Sequence, residues 1–255
     1  MNQKKRSLLL NETSRLFVLT SDMCRRVGVA PRRQRMGPEL ELVQSFLAEP
    51  MFSVPRHCEV AVFQEPRLPS GFPDLVIVMW NRNTIRNWNT SRRNLTTRDV
   101  RLAHFLYQSG ASTLAEITVG FGKQSLASLE RLHEAGMATL ARDKWTMKPL
   151  RNIFAVQQLI AIEAKVTEWS AGLQQAWVNT WFASESYLLI PRIPRGSGVL
   201  EQAKKLGIGV WAGNAQAMEP SCRPKLPASY VSWLFNEWVG RIPTPVSADG
   251  ERAQH

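Results

Sequence analysis

The stretch Ile160-Ala161-Ile162-Glu163-Ala164-Lys165-Val166 decides how this chain is read. Apolar residues lead up to Glu163, and Trp169, Leu173 and Gln175 follow before a second apolar run, Tyr187-Leu188-Leu189-Ile190-Pro191. The order reads as strand, helix, strand. Side chains alternate along a strand, so Glu163 and Lys165 share one face. A carboxylate and an ammonium side by side at a strand end can hold a divalent cation and a water next to a phosphate. A second acid stands upstream in Phe72-Pro73-Asp74-Leu75-Val76-Ile77-Val78, again at the mouth of an apolar strand.

Outward from these stretches the chain alternates. Pro38 opens a helix in which Leu40, Val43, Phe46 and Leu47 recur at helical spacing, and Pro50 ends it. Strand-like runs follow at Cys58 to Phe63 and Leu75 to Trp80, separated by the turn residues Pro69-Ser70-Gly71. Beyond Ile160 come a helix over 168–182, a strand over 186–190, a helix over 198–206 and a strand from Ile208 to Trp211. This alternation predicts an α/β core. Residues 212–255 are Pro-rich, the Tyr230 to Trp238 segment is expected to pack back as a helix, and the tail is expected to be disordered. The polar, basic stretch from Asn81 to Arg93 reads as a linker.

Residues 96–150 form a pattern of their own. Thr97 and Ser112 are candidate caps for two helices. Gly120 and Gly122 mark a turn, Lys123 starts a third helix and Gly136 closes it. Met137 to Leu140 and Lys144 to Met147 make a hairpin around Arg142-Asp143. Three short helices and a basic hairpin resemble a winged helix-turn-helix. That resemblance places Lys123, Gln124, Ser125 and Arg131 in the major groove of DNA, with Arg142 and Lys144 on the wing against the backbone. The alternative is a docking element for a partner protein or a second copy of the chain.

Composition limits the classes of partner. The chain has 255 residues with 44% hydrophobic, enough for a full core, and a net charge of +11. Such an excess suits a polyanion, nucleic acid above all. No apolar run approaches the ~20 residues of a membrane span, and attachment of the basic arm to an anionic membrane surface is the weaker alternative, since no amphipathic basic helix stands out; no membrane role is expected. Lys4, Lys5 and Arg6 precede an apolar segment too short for a signal peptide. Cys24, Cys58 and Cys222 are odd in number and scattered, which fits a reduced cytoplasmic compartment and no zinc site. Arg15, Arg25, Arg26, Arg32, Arg33 and Arg35 make residues 1–35 a basic arm or a loosely packed helix, either solvated surface or a phosphate contact.

Pro73-Asp74, Glu163-Ala164-Lys165 and Gln175 on the next helix, in this element order, resemble the PD-(D/E)XK superfamily of restriction-endonuclease-like phosphodiesterases. The resemblance implies a core built from 36–81 and 151–240, a mixed sheet flanked by helices, with the winged unit of 95–150 inserted and a disordered tail at 241–255. Asp74 and Glu163 are 89 positions apart, far more than the family's usual hairpin, and the insertion accounts for the excess. It implies a Mg²⁺ (or Mn²⁺) ion held by Asp74, Glu163 and the Ala164 carbonyl. Lys165 would position the attacking water or stabilise charge on the phosphate, and Gln175 would orient Lys165 or contact the phosphate. The acid that the family often adds from its first helix would be Glu41, with Glu39 close behind and Glu59 and Glu65 as weaker options. Glu41 is also readable as a carboxylate favouring the helix dipole. The implied function is metal-dependent DNA endonuclease activity, in a setting such as bacterial defence, repair or mobile-element processing. The alternative is a catalytically silent DNA-binding regulator or subunit. Trp169, Trp177 and Trp181 are expected in the core rather than stacked on bases, and His57, His104 and His133 carry no role.

Overall fold

Uninterrupted apolar runs need cover on both faces of a sheet, and the central strands lie accordingly. β2 (Cys58–Gln64), β3 (Leu75–Asn81) and β7 (Val156–Ala164) pair antiparallel in the middle of a seven-stranded sheet. β1 (Leu16–Val18) joins β2 in parallel at one edge. β8 (Glu185–Ile190) and β9 (Gly209–Ala212) continue parallel from β7, and β10 (Ala215–Met218) turns back antiparallel at the other edge. The result is a mixed α/β architecture, described by a computed structural model over residues 16–32, 36–48, 52–69 and 71–243.

One face is covered by α2 (Pro38–Ala48), whose Val43 and Phe46 pack with Phe52 and Trp211 over Val60, Ile77, Ile160 and Ile162. On the other face α8 (Trp169–Asn179) and α9 (Val199–Leu206) set Leu173, Ala176, Val199 and Ala203 against Leu188, Ile190 and Val210. α10 (Tyr230–Gly240) is buried at every residue from Val231 to Val239. A helix apolar nearly all round must have neighbours all round. Here the sheet lies on one side and α4 (Thr97–Ser109) on another.

α4 opens the inserted unit. It continues through β4 (Ser112–Thr113), α5 (Leu114–Phe121), α6 (Ser125–Glu134), β5 (Ala138–Ala141) and β6 (Lys144–Met147). The strands form a small antiparallel sheet in the order β4-β6-β5. Each of the first two helices starts on a capping box, Thr96 with Asp99 and Thr113 with Glu116. The caps thus sit one residue from the expected Thr97 and Ser112, because the reciprocal acid three positions on selects the threonine. Arg142 and Asp143 both hold positive φ, as a tight two-residue hairpin turn requires.

Several expectations change. Residues 16–32 are not a loose arm: β1 extends the sheet, and Cys24 of α1 (Ser21–Val27), Val27 and Val29 are buried in the core. Lys4, Lys5, Arg6, Arg15, Arg33, Arg35 and the tail from 244 lie outside the described residues. The supposed linker after β3 folds as α3 (Arg82–Arg86) and a 3₁₀ turn (Thr90–Asn94), anchored by the buried Arg92–Glu237 ion pair. Three further short elements escaped the pattern, β4, β10 and α7 (Leu150–Ile153). The inserted unit does not hang on two tethers. One continuous core runs from Phe63 and Val76 of the sheet, through Phe235 of α10, to Val100, Leu129 and Leu132. Trp177 on α8 and Trp181, just past its end, are not core residues; they are 54% and 43% exposed.

Candidate active site

Strand register brings the two distant acids together. Leu75 pairs with Ile162 at the end of the β3–β7 ladder. One step further out, Asp74 faces Glu163, and directly opposed residues of an antiparallel pair share a face. Asp74 is held at both levels. Its backbone carbonyl accepts the Glu65 N–H at 3.0 Å, and its Oδ2 accepts the Ala164 N–H at 2.7 Å. N–H and C=O of one strand residue point to the same side, so the Ala164 carbonyl also faces the Asp74 strand.

Glu163 is buried, and its Oε1 accepts the Asn179 side-chain N–H at 2.7 Å. Lys165 lies two positions on, where β7 has ended. Its stem runs against Gly172 of α8, where a Cβ would come within 2.6 Å of both Lys165 Cγ and Leu188 Cδ1. The missing side chain is what lets the helix sit this close to the strand end. Lys165 Nζ lies 3.5 Å from Glu39 Oε1, in the first turn of α2. The strand ends therefore gather three acids and one amine from α2, the head of β3 and the tail of β7.

Burial dominates the electrostatics. It pushes the Asp74 carboxyl up, against the Ala164 N–H and the Lys165 charge, which pull it down, and with Glu39, which adds to the rise. Glu163 is pushed up to about 8, first by burial and then by the Asp74 charge, which the Asn179 bond and Lys165 only partly offset. The two carboxyls lie within hydrogen-bonding reach of each other. Two such groups cannot both ionise without help, and either a shared proton or a cation resolves the conflict. Among the described residues no cluster of three or more His, Cys, Asp or Glu encloses a metal. Mg²⁺ does not need one, since it commonly takes one or two carboxylates and keeps several waters. The residues present fit such an ion.

Asp74, Glu163, Ala164 and Lys165 thus converge as expected. Gln175 does not: it is exposed on α8, and Asn179, one turn further on, takes the inward position and binds Glu163 directly. Glu41 does not join the site either. It lies two positions from Glu39, about 200° round the helix, is exposed, and the ion pair to Lys165 falls to Glu39. Glu65 contributes its backbone, and Glu59 lies at the far end of the sheet. The signal for Glu39 was present in its place in the first helix. Gly172, a lone glycine inside a helical pattern, was a legible mark of close approach. Nothing in the sequence distinguished Asn179 from its polar neighbours.

The candidate DNA contacts divide in the same way. Lys123, Gln124, Arg142 and Lys144 are exposed. Ser125 is buried, with its hydroxyl donating to the Gly122 carbonyl at 2.6 Å. Arg131 is committed to a bidentate pair with Asp99, at 2.9 and 2.8 Å. Neither can reach a base edge without breaking the unit's own structure. Searches of family models, curated proteins and solved structures found no match to this chain.

Proposed function

We propose that this chain is a metal-dependent nuclease that hydrolyses phosphodiester bonds in nucleic acid, double-stranded DNA above all. On this reading α2, β2, β3, β7, α8 and β8 form a restriction-endonuclease-like core, and the unit of 97–147 is a winged helix-turn-helix packed onto it. The observation that carries the reading is the register that sets Asp74 opposite Glu163, with Lys165 and Glu39 at the same strand ends.

Asp74, Glu163 and the Ala164 carbonyl would hold Mg²⁺ or Mn²⁺. When bound, such an ion polarises a phosphate oxygen and lowers the pKa of a coordinated water. The residues supply the rest. Asn179 fixes the Glu163 carboxylate so that one oxygen stays turned toward Asp74. Lys165 carries an ammonium on a stem confined by Gly172, placed to stabilise negative charge growing on the phosphate. Glu39 keeps that ammonium at the sheet end and orients it.

The test is cleavage of plasmid, linear duplex, single-stranded DNA and RNA with and without Mg²⁺. Parent, Asp74→Ala, Glu163→Ala and Lys165→Ala chains are compared, with DNA binding measured in parallel. The variants are expected to lose at least roughly 10³-fold in cleavage while binding stays close to the parent. Equal cutting by parent and variants would end the reading.

A further inference from the structure

Among the described residues the positive charge does not collect on α6. Leu126, Glu130 and Glu134 are exposed along that helix, and two carboxylates there oppose phosphate. It collects where the inserted unit meets the sheet. A cleft of about 620 Å³ opens there, walled by Asn83 of α3 and Asn87 at its C-terminal end, by Arg92 and Gly136, and by Lys148 and Arg151. Among the described residues no Asp or Glu lines it. Trp88, Asn89 and Arg92 separate it from a second cavity of about 310 Å³, lined by Arg82, Arg86, Arg93 and Arg241. That cavity holds two acids, Glu59 and Glu237, and Glu237 is neutralised by Arg92.

The wall between the cavities is rigid. Arg92 bonds Glu237 and the Ile153 carbonyl and lies 3.4 Å over the Trp88 ring. Trp88 Nε1 donates to the Asn152 carbonyl at 3.2 Å. Gly240 packs so close that a Cβ there would come within 2.4 Å of the Trp88 ring. With the ring hemmed in on these sides, it offers no platform for a base. Arg86, Arg93 and Arg151, by contrast, are exposed and make no ion pair or side-chain hydrogen bond among the described residues. Arg151 borders the acid-free cleft and Arg86 and Arg93 border the adjoining cavity; unpaired guanidiniums beside carboxamides, with no stacking surface, suit phosphate oxygens rather than bases.

We propose that this cleft and its flanking arginines grip the phosphodiester backbone of the nucleic acid, an inference that rests on the nuclease reading of the sheet end. β3 connects the two places: Asp74 precedes it and Arg82 follows it. Its length of about 20 Å, at about 3.3 Å per residue, matches roughly six steps of a duplex at 3.4 Å per step. On the proposal one duplex touches the grip and the acids together, and the grip sets where along the strand the acids act.

The experiment measures binding of the full chain to a fluorescent 30-base-pair duplex across 50–300 mM salt. It compares the parent with the triple variant Arg86→Ala/Arg93→Ala/Arg151→Ala and with Lys123→Ala/Lys144→Ala. All changed positions are exposed, and thermal unfolding checks that each variant folds. The cleft variant is expected to lose about two to three units of the log–log salt slope, one per phosphate contact, and at least roughly tenfold in affinity at the lowest salt. The α6 and hairpin variant is expected to lose less than one unit. Parent binding with a slope unchanged in the cleft variant overturns the inference and leaves the nuclease reading standing. Displacement of the duplex by micromolar mononucleotide also overturns it, since the cleft would then be a nucleotide pocket. No binding of any nucleic acid by the parent sinks the nuclease reading, and the inference with it.

Discussion

Asp99 in the inserted unit and Glu163 at the sheet end are both buried carboxylates, and their surroundings drive them in opposite directions. Burial would raise Asp99, but the Arg131 guanidinium, the Thr96 N–H and hydroxyl and the Ser128 hydroxyl outweigh it and hold the carboxyl below its ordinary range. Glu163 has one amide donor and a second acid beside it, and burial wins. The first arrangement is closed: each charge has its partner within the fold. The second leaves like charges together. The same distinction separates Arg131, which is committed, from Arg86, Arg93 and Arg151, which are not. Satisfied charge builds structure, and unsatisfied charge marks where a ligand belongs.

This contrast can be broken at its structural end first. Asp99→Ala removes the partner of Arg131 and the carboxylate that accepts two hydrogen bonds, from the Thr96 N–H and hydroxyl, at the start of α4. Arg131 keeps some access to solvent, so the expected loss is about 2–3 kcal/mol, read by urea unfolding. A loss within 0.5 kcal/mol would show that the pair is incidental. Asn179→Ala comes next. It frees Glu163 from its positioning bond and should weaken Mn²⁺ binding by about 10–100-fold, the range for groups that orient a metal ligand. Gln175→Ala on the same helix should change it less than threefold. Equal effects of the two would return Gln175 to the site. Circular dichroism on both variants checks that the helix is intact.

The smallest effect, and the one that separates the two carboxylates most cleanly, is the sign of their pH dependence. Asp99 is lowered, so its stabilising share is present above about 3.8, the ordinary value, and is lost as pH falls below it. Glu163 is raised, so in the metal-free chain stability should decline as pH climbs from about 4.5 toward about 8, where the unfolded chain has released a proton that the folded chain keeps. Glu163→Gln should flatten the upper slope and leave the acid limb alone. Saturating Mg²⁺ should flatten it too, because the ion takes the place of the proton. A stability profile rising from pH 5 to 8 in the metal-free parent would contradict the arrangement.

Much of this was readable in the sequence. Uninterrupted apolar runs and the acids at their mouths identified β3 and β7, because strands buried on both faces leave that mark. The pairing of Asp74 with Glu163 was expected from their types and element order, although only the ladder between β3 and β7 explains it. The misses have physical reasons. Glu39 and Glu41 differ by two positions on one helix, and choosing between them requires knowing how α2 is rotated on the sheet. Gln175 and Asn179 differ by one turn, and the angle at which α8 crosses β7 decides which reaches Glu163. Ser125 and Arg131 looked like groove readers because composition does not reveal that a side chain is already occupied. β1 and α1 were lost in a basic segment whose few apolar residues, among them Cys24, Val27 and Val29, do not show a strong period.

The central claim is that two acids, remote in sequence, form one cation site. Calorimetric titration of Mn²⁺ into the full chain at pH 7.5, in two buffers of different ionisation enthalpy, tests it most directly. The account predicts binding of at least one ion per chain with release of close to one proton, and loss of that binding in Asp74→Ala. Absence of binding by the parent, or equal binding by parent and variant, would contradict it and leave a nucleic-acid-binding regulator or subunit as the better description.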